Sequence, residues 1–226
     1  MSKKLIPLIV VAAIIVIIVG AFTIMGWDNV AADLSYQYMD DYNEAANTTS
    51  VSWYVGRKSD ITIPDSIYDI KITKVGNNFA KPHPERLESV TMNNNITEIA
   101  GNAFSWGCVN LKKVSLPNSL TKIGDQAFAK CSAITSLAIP SSVTEIGASA
   151  FSECTSLQNM AIPEGVTVLN ANLFNGCTSL TNVTLPDSIT EIASTAFNGC
   201  ENVNITYKGN TYTYSQLDSL LEKFAA

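Results

Sequence analysis

Apolar residues recur with a period of 23 residues through the C-terminal half of this chain. Each copy opens with an apolar residue, has another three positions later and a third after two more, and then a proline. Leu111, Val114, Leu116 and Pro117 show the pattern. A fixed period of this length is typical of a solenoid, in which each repeat packs only on its neighbours. Further copies occupy residues 134–140, 157–163 and 180–186, with an earlier one from Leu87 and a shortened last one from Val203.

The alternation within one copy predicts two short strands and one helical turn. Val114-Ser115-Leu116 alternates apolar and polar residues, as a half-buried strand does, and Pro117 should end that strand because proline cannot donate to a ladder. The β-branched run 143–146 predicts the second strand, and residues 124–128 predict a corner and a turn of helix. Copies stacked about 4.8 Å apart would form parallel ladders. The predicted fold class is therefore a β-rich solenoid.

Phenylalanine and cysteine repeat with the same period and predict two columns inside the stack. Three states of the cysteine column are open: buried reduced thiols, one or two disulfides, and a metal site. Thiols stacked along one axis cannot converge as tetrahedral zinc requires. Neighbours fall within the Cα range of a disulfide, although an odd count leaves one cysteine unpaired; reduced thiols acting as small hydrophobes are the favoured interpretation. The columns are Phe104, Phe128, Phe151, Phe174 and Phe197, and Cys108, Cys131, Cys154, Cys177 and Cys200.

Both ends of the repeat region depart from the pattern. The repeats are predicted to span residues 51–207, with residues 52–64 as a divergent first copy. Residues 208–226 are predicted to form a C-terminal cap that covers the last coil. Its amphipathic helix is indicated by apolar residues at i, i+3, i+4 and i+7, with Ser215 and Asp218 at capping-box spacing. Those apolar residues are Leu217, Leu220, Leu221 and Phe224.

The N-terminal region predicts a membrane anchor. Residues 5–25 carry no charge, and at about 1.5 Å per residue they are long enough to cross a bilayer core of about 30 Å. Lys3 and Lys4 in the stub 1–4 place the N-terminus in the cytoplasm and the repeats outside. The alternative is a cleaved signal peptide ending near Val19-Gly20-Ala21. Residues 26–50 are interpreted as a juxtamembrane spacer, with a short acidic helix in 31–46 and a loop in 47–50.

Charge and chemistry exclude several classes of function. The chain carries a formal net charge of −6, and the part after residue 27 has 12 basic and 20 acidic residues. This balance argues against nucleic acid and against anionic lipid as partners of the repeats. His83 is the single histidine, Gly147-Ala148-Ser149 lacks the closing glycine of a nucleophile elbow, and no phosphate-binding loop is present. We expect no enzymatic activity, no cofactor and no metal.

Two polar rows also allow a structural interpretation. Glu98, Glu145 and Glu191 share one repeat position, but Lys122 and Val168 fill the copies between them. This alternation indicates pairing of charges along a ladder rather than calcium binding, because like charges directly opposite each other repel. The row Thr97, Thr121, Thr144, Thr167 and Thr190 favours strand structure and needs no ligand.

The outward positions of the first strands are the better candidates for recognition. This row is small and polar, and it suits contact with a protein or a glycan. Trp106 lies at a one-residue insertion, where it is either an exposed anchor for a partner or part of local packing. The candidate residues are Ser89, Thr91, Lys113, Ser115, Ser136, Ala138, Asn159, Ala161, Asn182 and Thr184, together with Trp106.

The motif in 180–192, followed by Ala196-Phe197-Asn198-Gly199-Cys200, resembles the BspA-like leucine-rich-repeat family. The resemblance covers about residues 60–207. It implies a leucine-rich-repeat solenoid and a microbial surface protein associated with adhesion and with binding of host or neighbouring-cell proteins. We therefore expect a membrane-anchored, surface-exposed protein that binds a macromolecule without catalysis. The alternatives are a structural spacer of the envelope and a glycan-binding or hydrolytic envelope protein.

Overall fold

The chain folds into a stack of short coils held together by parallel ladders, as a computed structural model shows. The structure describes residues 36–43, 45–54, 58–67 and 69–224. The predicted anchor, 5–25, and stub, 1–4, lie outside these residues. Within the described part of the chain, no helix has the length and apolar character needed to span a membrane.

The first ladder contains the first strand of each repeat except the copy at 134–140, and it consists of two sheets, one of three strands and one of four. Strand neighbours pair in register; Val90, for example, lies opposite Val114. The last strand of the ladder is followed by a hairpin partner that runs antiparallel to it. The strands are β3 (Asp60–Thr62), β6 (Ser89–Thr91), β8 (Lys113–Ser115), β11 (Asn159–Ala161), β13 (Asn182–Thr184), β15 (Asn204–Tyr207) and β16 (Asn210–Thr213).

The second strands form two sheets, which together are called the second ladder. One sheet has seven strands, is extended at its N-terminal end by a hairpin and ends at Glu145–Ile146, and the other pairs only Val168–Leu169 with Glu191–Ile192. Ile99 lies opposite Ile123, and Ile123 lies opposite Ile146. The strands are β1 (Tyr36–Asn43), β2 (Thr48–Tyr54), β4 (Ser66–Ile67), β5 (Ile70–Val75), β7 (Glu98–Ile99), β9 (Lys122–Ile123), β10 (Glu145–Ile146), β12 (Val168–Leu169) and β14 (Glu191–Ile192).

The third side of each coil is not the helical turn that the sequence predicts. Its backbone forms consecutive tight turns, in which Ser152 N–H donates to the Ser149 carbonyl. Alternate N–H groups point instead to the following coil, as Phe151 N–H does to the Leu173 carbonyl at 3.1 Å. This alternation requires a residue in the left-handed backbone conformation at intervals. Ser149 (φ 58°) and Glu153 (φ 57°) adopt that conformation. The prediction was wrong because the hydrogen bonds between coils replace those that a helix would make within one coil.

The core is a continuous apolar interior, as the period predicts. The phenylalanine column is fully buried, and the ring centroids of Phe104 and Phe128 lie 5.2 Å apart with nearly parallel planes. The column extends beyond the predicted residues to Phe79 and to Tyr54, whose rings lie 6.2 Å apart. Equivalent apolar side chains therefore stack from coil to coil along the solenoid.

The N-terminal flank belongs to the solenoid rather than to a spacer. Residues 36–43 form β1, not a helix, and 48–50 belong to β2, not to a loop. β2 joins β5 in parallel, so that Val51 lies opposite Val75. The repeat pattern does not predict this strand, because the register of β2 against β5 shifts between Thr49 and Ser50.

The C-terminal flank contains the predicted cap, with a shorter helix and a different capping box. Two 3₁₀ turns, Tyr214–Gln216 and Glu222–Phe224, enclose a single α-helix, α1 (Leu217–Leu221). The capping residues are Thr213 and Gln216, whose amide oxygen accepts from Thr213 N–H at 3.0 Å. Ser215 and Asp218 do not form the predicted box. Leu217 and Leu220 are buried against the last coil, as expected for a cap.

Candidate binding face

The structure brings the predicted first-strand residues onto one exposed face. Nine of the ten predicted positions are exposed, and Ser89 is half-buried. Their register is that of the ladder, with Asn159 opposite Asn182 and Ala161 opposite Thr184. The face also includes residues that the prediction omitted, because the shortened last copy and its hairpin continue the sheet. These are Asn204 and Thr206 on β15 and Thr211 and Thr213 on β16.

Several polar groups of this face have no partner within the protein. Among the described residues, the hydroxyl groups of Thr91, Ser115, Ser136 and Thr184 form no hydrogen bond. They are therefore available to a ligand at no cost in internal hydrogen bonds. The threonine row of the second strands differs: Thr121 Oγ1 donates to the Thr97 carbonyl at 3.0 Å, and Thr190 Oγ1 donates to the Thr167 carbonyl at 3.1 Å.

The face is not the single continuous ladder that the repeats predict. The copy at 136–138 forms no strand, and its one ladder contact is a bridge between Ser136 and Asn159. No backbone hydrogen bond joins it to β8. The apolar side chains Val114, Leu116 and Ile139 beside this gap are only partly buried.

The gap divides the face into two parts of different character. On the N-terminal part, Ser89 Oγ donates to Asp60 Oδ1 at 2.5 Å, and this bond holds the pKa of Asp60 below its usual value. Lys113 is also exposed on this part. The C-terminal part carries amides and hydroxyls without charge, and Asn182 Nδ2 donates to Asn159 Oδ1 at 2.9 Å.

The glutamate row of the second strands is explained by ion pairs between coils. Lys74 Nζ lies 3.3 Å from Glu98 Oε1, and Lys122 Nζ lies 2.7 Å from Glu145 Oε1. The Glu145 carboxylate raises the pKa of Lys122 by accepting this hydrogen bond. Positive and negative charges alternate along the ladder, as the sequence predicts. No cation is needed to explain these two glutamates.

The cysteine column consists of buried thiols. All five cysteines are free and buried. The Cys154 thiol donates to the Phe128 carbonyl at 3.1 Å, and the Cys177 thiol donates to the Phe151 carbonyl at 3.0 Å. Burial raises the pKa of Cys154 to about 12 and that of Cys200 to about 11. The thiols therefore act as apolar side chains that also satisfy a buried carbonyl.

The remaining candidates for chemistry are dispersed. His83 lies in an exposed loop, with its Nδ1 4.0 Å from Glu85 Oε1. Within the described residues, no three histidine, cysteine, aspartate or glutamate side chains are grouped so that they could hold a metal ion.

Trp106 lies apart from the first-strand face, in the turn that leads from Phe104 to Cys108. Its side chain is 53% exposed. The indole N–H donates to Asn78 Oδ1 at 2.5 Å, and Lys81 Nζ lies 4.7 Å from the ring centroid. Trp106 is thus neither part of the core nor part of the predicted row.

The repeats match a known family. The family model described as the BspA type leucine rich repeat region matches six copies over residues 73–204, which is more than half of the chain. The chain belongs to the BspA-type leucine-rich-repeat family. The described solenoid of about seven turns is therefore a leucine-rich-repeat fold, as the sequence predicts.

Solved structures agree with this assignment of the BspA-type fold. The T. pallidum leucine rich repeat protein TpLRR superposes with a TM-score of 0.74 at 23% identity, over 85% of this chain and 94% of that one. A leucine rich cell surface protein from Faecalibacterium prausnitzii matches with a TM-score of 0.62 at 29% identity, over 86% of this chain and 59% of that one. The BspA-type chain thus spans less than two thirds of the Faecalibacterium protein. No curated protein matches it in sequence.

Proposed function

We propose that this protein is a membrane-anchored, surface-exposed module that binds another protein through its first-strand face and catalyses no reaction. The observation that carries the proposal is the contrast between the two ladders. Four hydroxyls of the first-strand face, those of Thr91, Ser115, Ser136 and Thr184, form no hydrogen bond within the protein. Threonines on the second-strand row instead donate to backbone carbonyls. An extended face of free donors and acceptors fits a broad partner surface better than a small molecule.

Two further observations support the location and the kind of partner. The uncharged segment 5–25 follows two lysines and precedes a stretch rich in acidic residues, as in an anchor whose C-terminal side is exported. The Faecalibacterium protein of similar fold is described as a cell surface protein. The face lacks aromatic side chains for stacking on sugar rings, which favours a protein over a glycan.

The test is binding of a partner captured from a cell-surface extract and then purified. Thr184→Arg adds bulk and charge to the uncharged part of the face, and Thr190→Arg adds the same side chain to the second-strand row. We expect Thr184→Arg to weaken binding about tenfold or more, about 1.4 kcal/mol, and Thr190→Arg to leave it unchanged. Isothermal titration of full-length chain in detergent would measure both constants.

The outcome that contradicts this proposal is equal binding by both variants, or no saturable partner at all. The second result would favour a structural spacer of the envelope. Equal thermal unfolding midpoints of the two variants are required, so that a loss of binding cannot be a loss of folding.

A further inference from the structure

The tetrapeptide Phe-Asn-Gly-Cys occurs twice in this chain, at 174–177 and at 197–200. The two copies lie on the third side of consecutive coils, and their glycines have nearly the same backbone conformation, with φ +75° at Gly176 and +74° at Gly199. An Asn-Gly pair is prone to spontaneous deamidation, because glycine has no side chain that would keep its nitrogen away from the asparagine amide. A difference in reactivity between the two copies must therefore come from their surroundings.

The hydrogen bonds of the two copies differ at the glycine nitrogen. Gly176 N–H donates to the Asn198 carbonyl of the next coil at 2.8 Å. Gly199 lies in the last of these turns, and among the described residues no group accepts its N–H. The asparagine carbonyls are alike, since each accepts an N–H from the preceding coil. Asn175 accepts from Glu153 N–H at 2.7 Å, and Asn198 accepts from Gly176 N–H.

The two copies also differ in their access to solvent. Asn198 and Gly199 are exposed, whereas Asn175 and Gly176 are half-buried. The second copy lies over the first, while the chain after Cys200 continues into β15 and the cap rather than into another such turn. Water and hydroxide, which deamidation requires, therefore reach Asn198 more readily than Asn175.

We propose that Asn198 is a site of spontaneous deamidation and isoaspartate formation, and that the following coil protects Asn175 from the same reaction. The Gly199 nitrogen loses its proton to hydroxide and attacks Cγ of Asn198. The new C–N bond closes a succinimide ring, and the side-chain nitrogen takes up a proton and leaves as ammonia. Water then adds to either ring carbonyl and breaks its bond to nitrogen, which gives aspartate or isoaspartate. The reaction needs no enzyme, and it does not depend on the proposed binding function.

Isoaspartate would lengthen the main chain in a tightly packed turn. It adds one methylene group to the backbone between Phe197 and Cys200, which are both 0% exposed. Cys200 N–H closes this turn by donating to the Phe197 carbonyl at 3.0 Å, and the Cys200 thiol donates to the Phe174 carbonyl at 3.0 Å. Both products also add a negative charge. We expect the last coil and the cap that packs on it to loosen as isoaspartate accumulates.

The test is peptide mapping by mass spectrometry during incubation of the native full-length chain in mildly alkaline buffer. Every molecule contains both tetrapeptides, so Asn175 is an internal control that shares the folding and handling of Asn198. We expect Asn198 to convert about fivefold faster than Asn175, the factor that corresponds to one hydrogen bond of about 1 kcal/mol. Fragmentation by electron transfer distinguishes isoaspartate from aspartate.

Unfolding provides a second control. In guanidinium chloride both copies lose their surroundings, and their identical tetrapeptides should react at similar rates. Asn198→Gln slows ring closure because its side chain is longer, so this variant should form no product at position 198 and keep the parent rate at Asn175. After incubation, hydrogen exchange should show lost protection in β15 and α1 of the parent and retained protection in the variant.

Equal rates at Asn175 and Asn198 in the folded protein would overturn the proposal. So would a folded protein in which Asn198 stays intact under conditions that convert both sites in the unfolded chain. That result would mean that the rigid turn keeps the Gly199 nitrogen away from the Asn198 side chain.

Discussion

At the scale of single residues, the closest approach between coils is at a corner occupied by small residues. A Cβ atom on Gly147 would lie 2.7 Å from the Gly124 carbonyl carbon, and one on Gly124 would lie 2.6 Å from Gly101 N. Backbone atoms cannot move aside as side chains do, so these positions require glycine. Ala193 occupies the same repeat position in a later coil, and that coil therefore accommodates a Cβ atom.

The first prediction concerns this corner. Gly147→Ala should destabilise the protein by about 1–3 kcal/mol, because the new methyl group forces the coils apart. Ala193→Gly is the matched control and should cost only about 0.5–1 kcal/mol through the flexibility of glycine. Urea unfolding measures both values. A Gly147→Ala variant as stable as the parent would show that the corner can relax.

The second prediction concerns the thiols. Burial raises the pKa of Cys154 to about 12, so the folded state retains protons that the unfolded state releases above about pH 8.5. This contribution to stability is fully present below about pH 8.5 and is lost as the pH rises toward 12. Unfolding midpoints measured from pH 7 to 11 should fall. Cys154→Ala should show a shallower fall.

Reaction of the native protein with a thiol reagent at pH 8 checks the same point. All five thiols should react slowly in the folded state and rapidly in guanidinium chloride. Rapid reaction of three or more thiols in native protein would contradict buried, protonated thiols.

At the scale of elements, each end of the stack needs a cover of its own. α1 buries Leu217 and Leu220 on the last coil, and the Phe224 ring lies 5.3 Å from the Tyr207 ring. At the other end, β1 and β2 extend the second ladder. Without these elements, apolar side chains of the terminal coils would face water.

The third prediction concerns the C-terminal cap. Leu220→Ala removes a fully buried side chain and should cost about 2–5 kcal/mol. Asp218→Ala, on the exposed side of α1, should cost less than about 0.5 kcal/mol. Hydrogen exchange should show the larger loss of protection in β15 and β16. Uniform loss throughout the chain would mean that the cap does not act locally.

At the scale of the whole molecule, stability is a sum over neighbouring coils. The Phe151 ring contacts a ring on either side, at 5.8 Å and 5.9 Å, whereas the Phe197 ring has one such neighbour, at 5.6 Å. Ion pairs between coils, such as Lys130 to Glu153 at 3.7 Å, are exposed and contribute little. Packing of the apolar interior therefore contributes more to the stability of neighbouring coils than the ion pairs do.

The fourth prediction follows from this difference. Phe151→Ala should cost about 3–5 kcal/mol, and Phe197→Ala should cost less because only one stacked pair is lost. Urea unfolding followed by circular dichroism gives both values. An equal loss in the free energy of unfolding for the two variants would contradict the prediction. It would mean that stability does not depend on ring contacts with the coils on both sides.

The candidate site was predicted in part. The period of 23 residues places Thr91 and Thr184 on one face, because the same position in every coil points in the same direction. It could not predict that the ladder is interrupted at Ser136, since that depends on contacts between neighbouring coils. Nor could it place Trp106 beneath Lys81, because the two belong to different coils and share no motif.

The sequence by itself determined the solenoid, its core columns and its exposed rows, because each is a property of one coil that the period copies. The tertiary structure decided the turn backbone, the strand β2, the gap beside β8 and the contacts of Trp106. All of these depend on how one coil meets the next, through hydrogen bonds and packing between residues more than 20 positions apart. A repeating pattern specifies what each coil buries, and the contacts between coils determine where the stack is continuous.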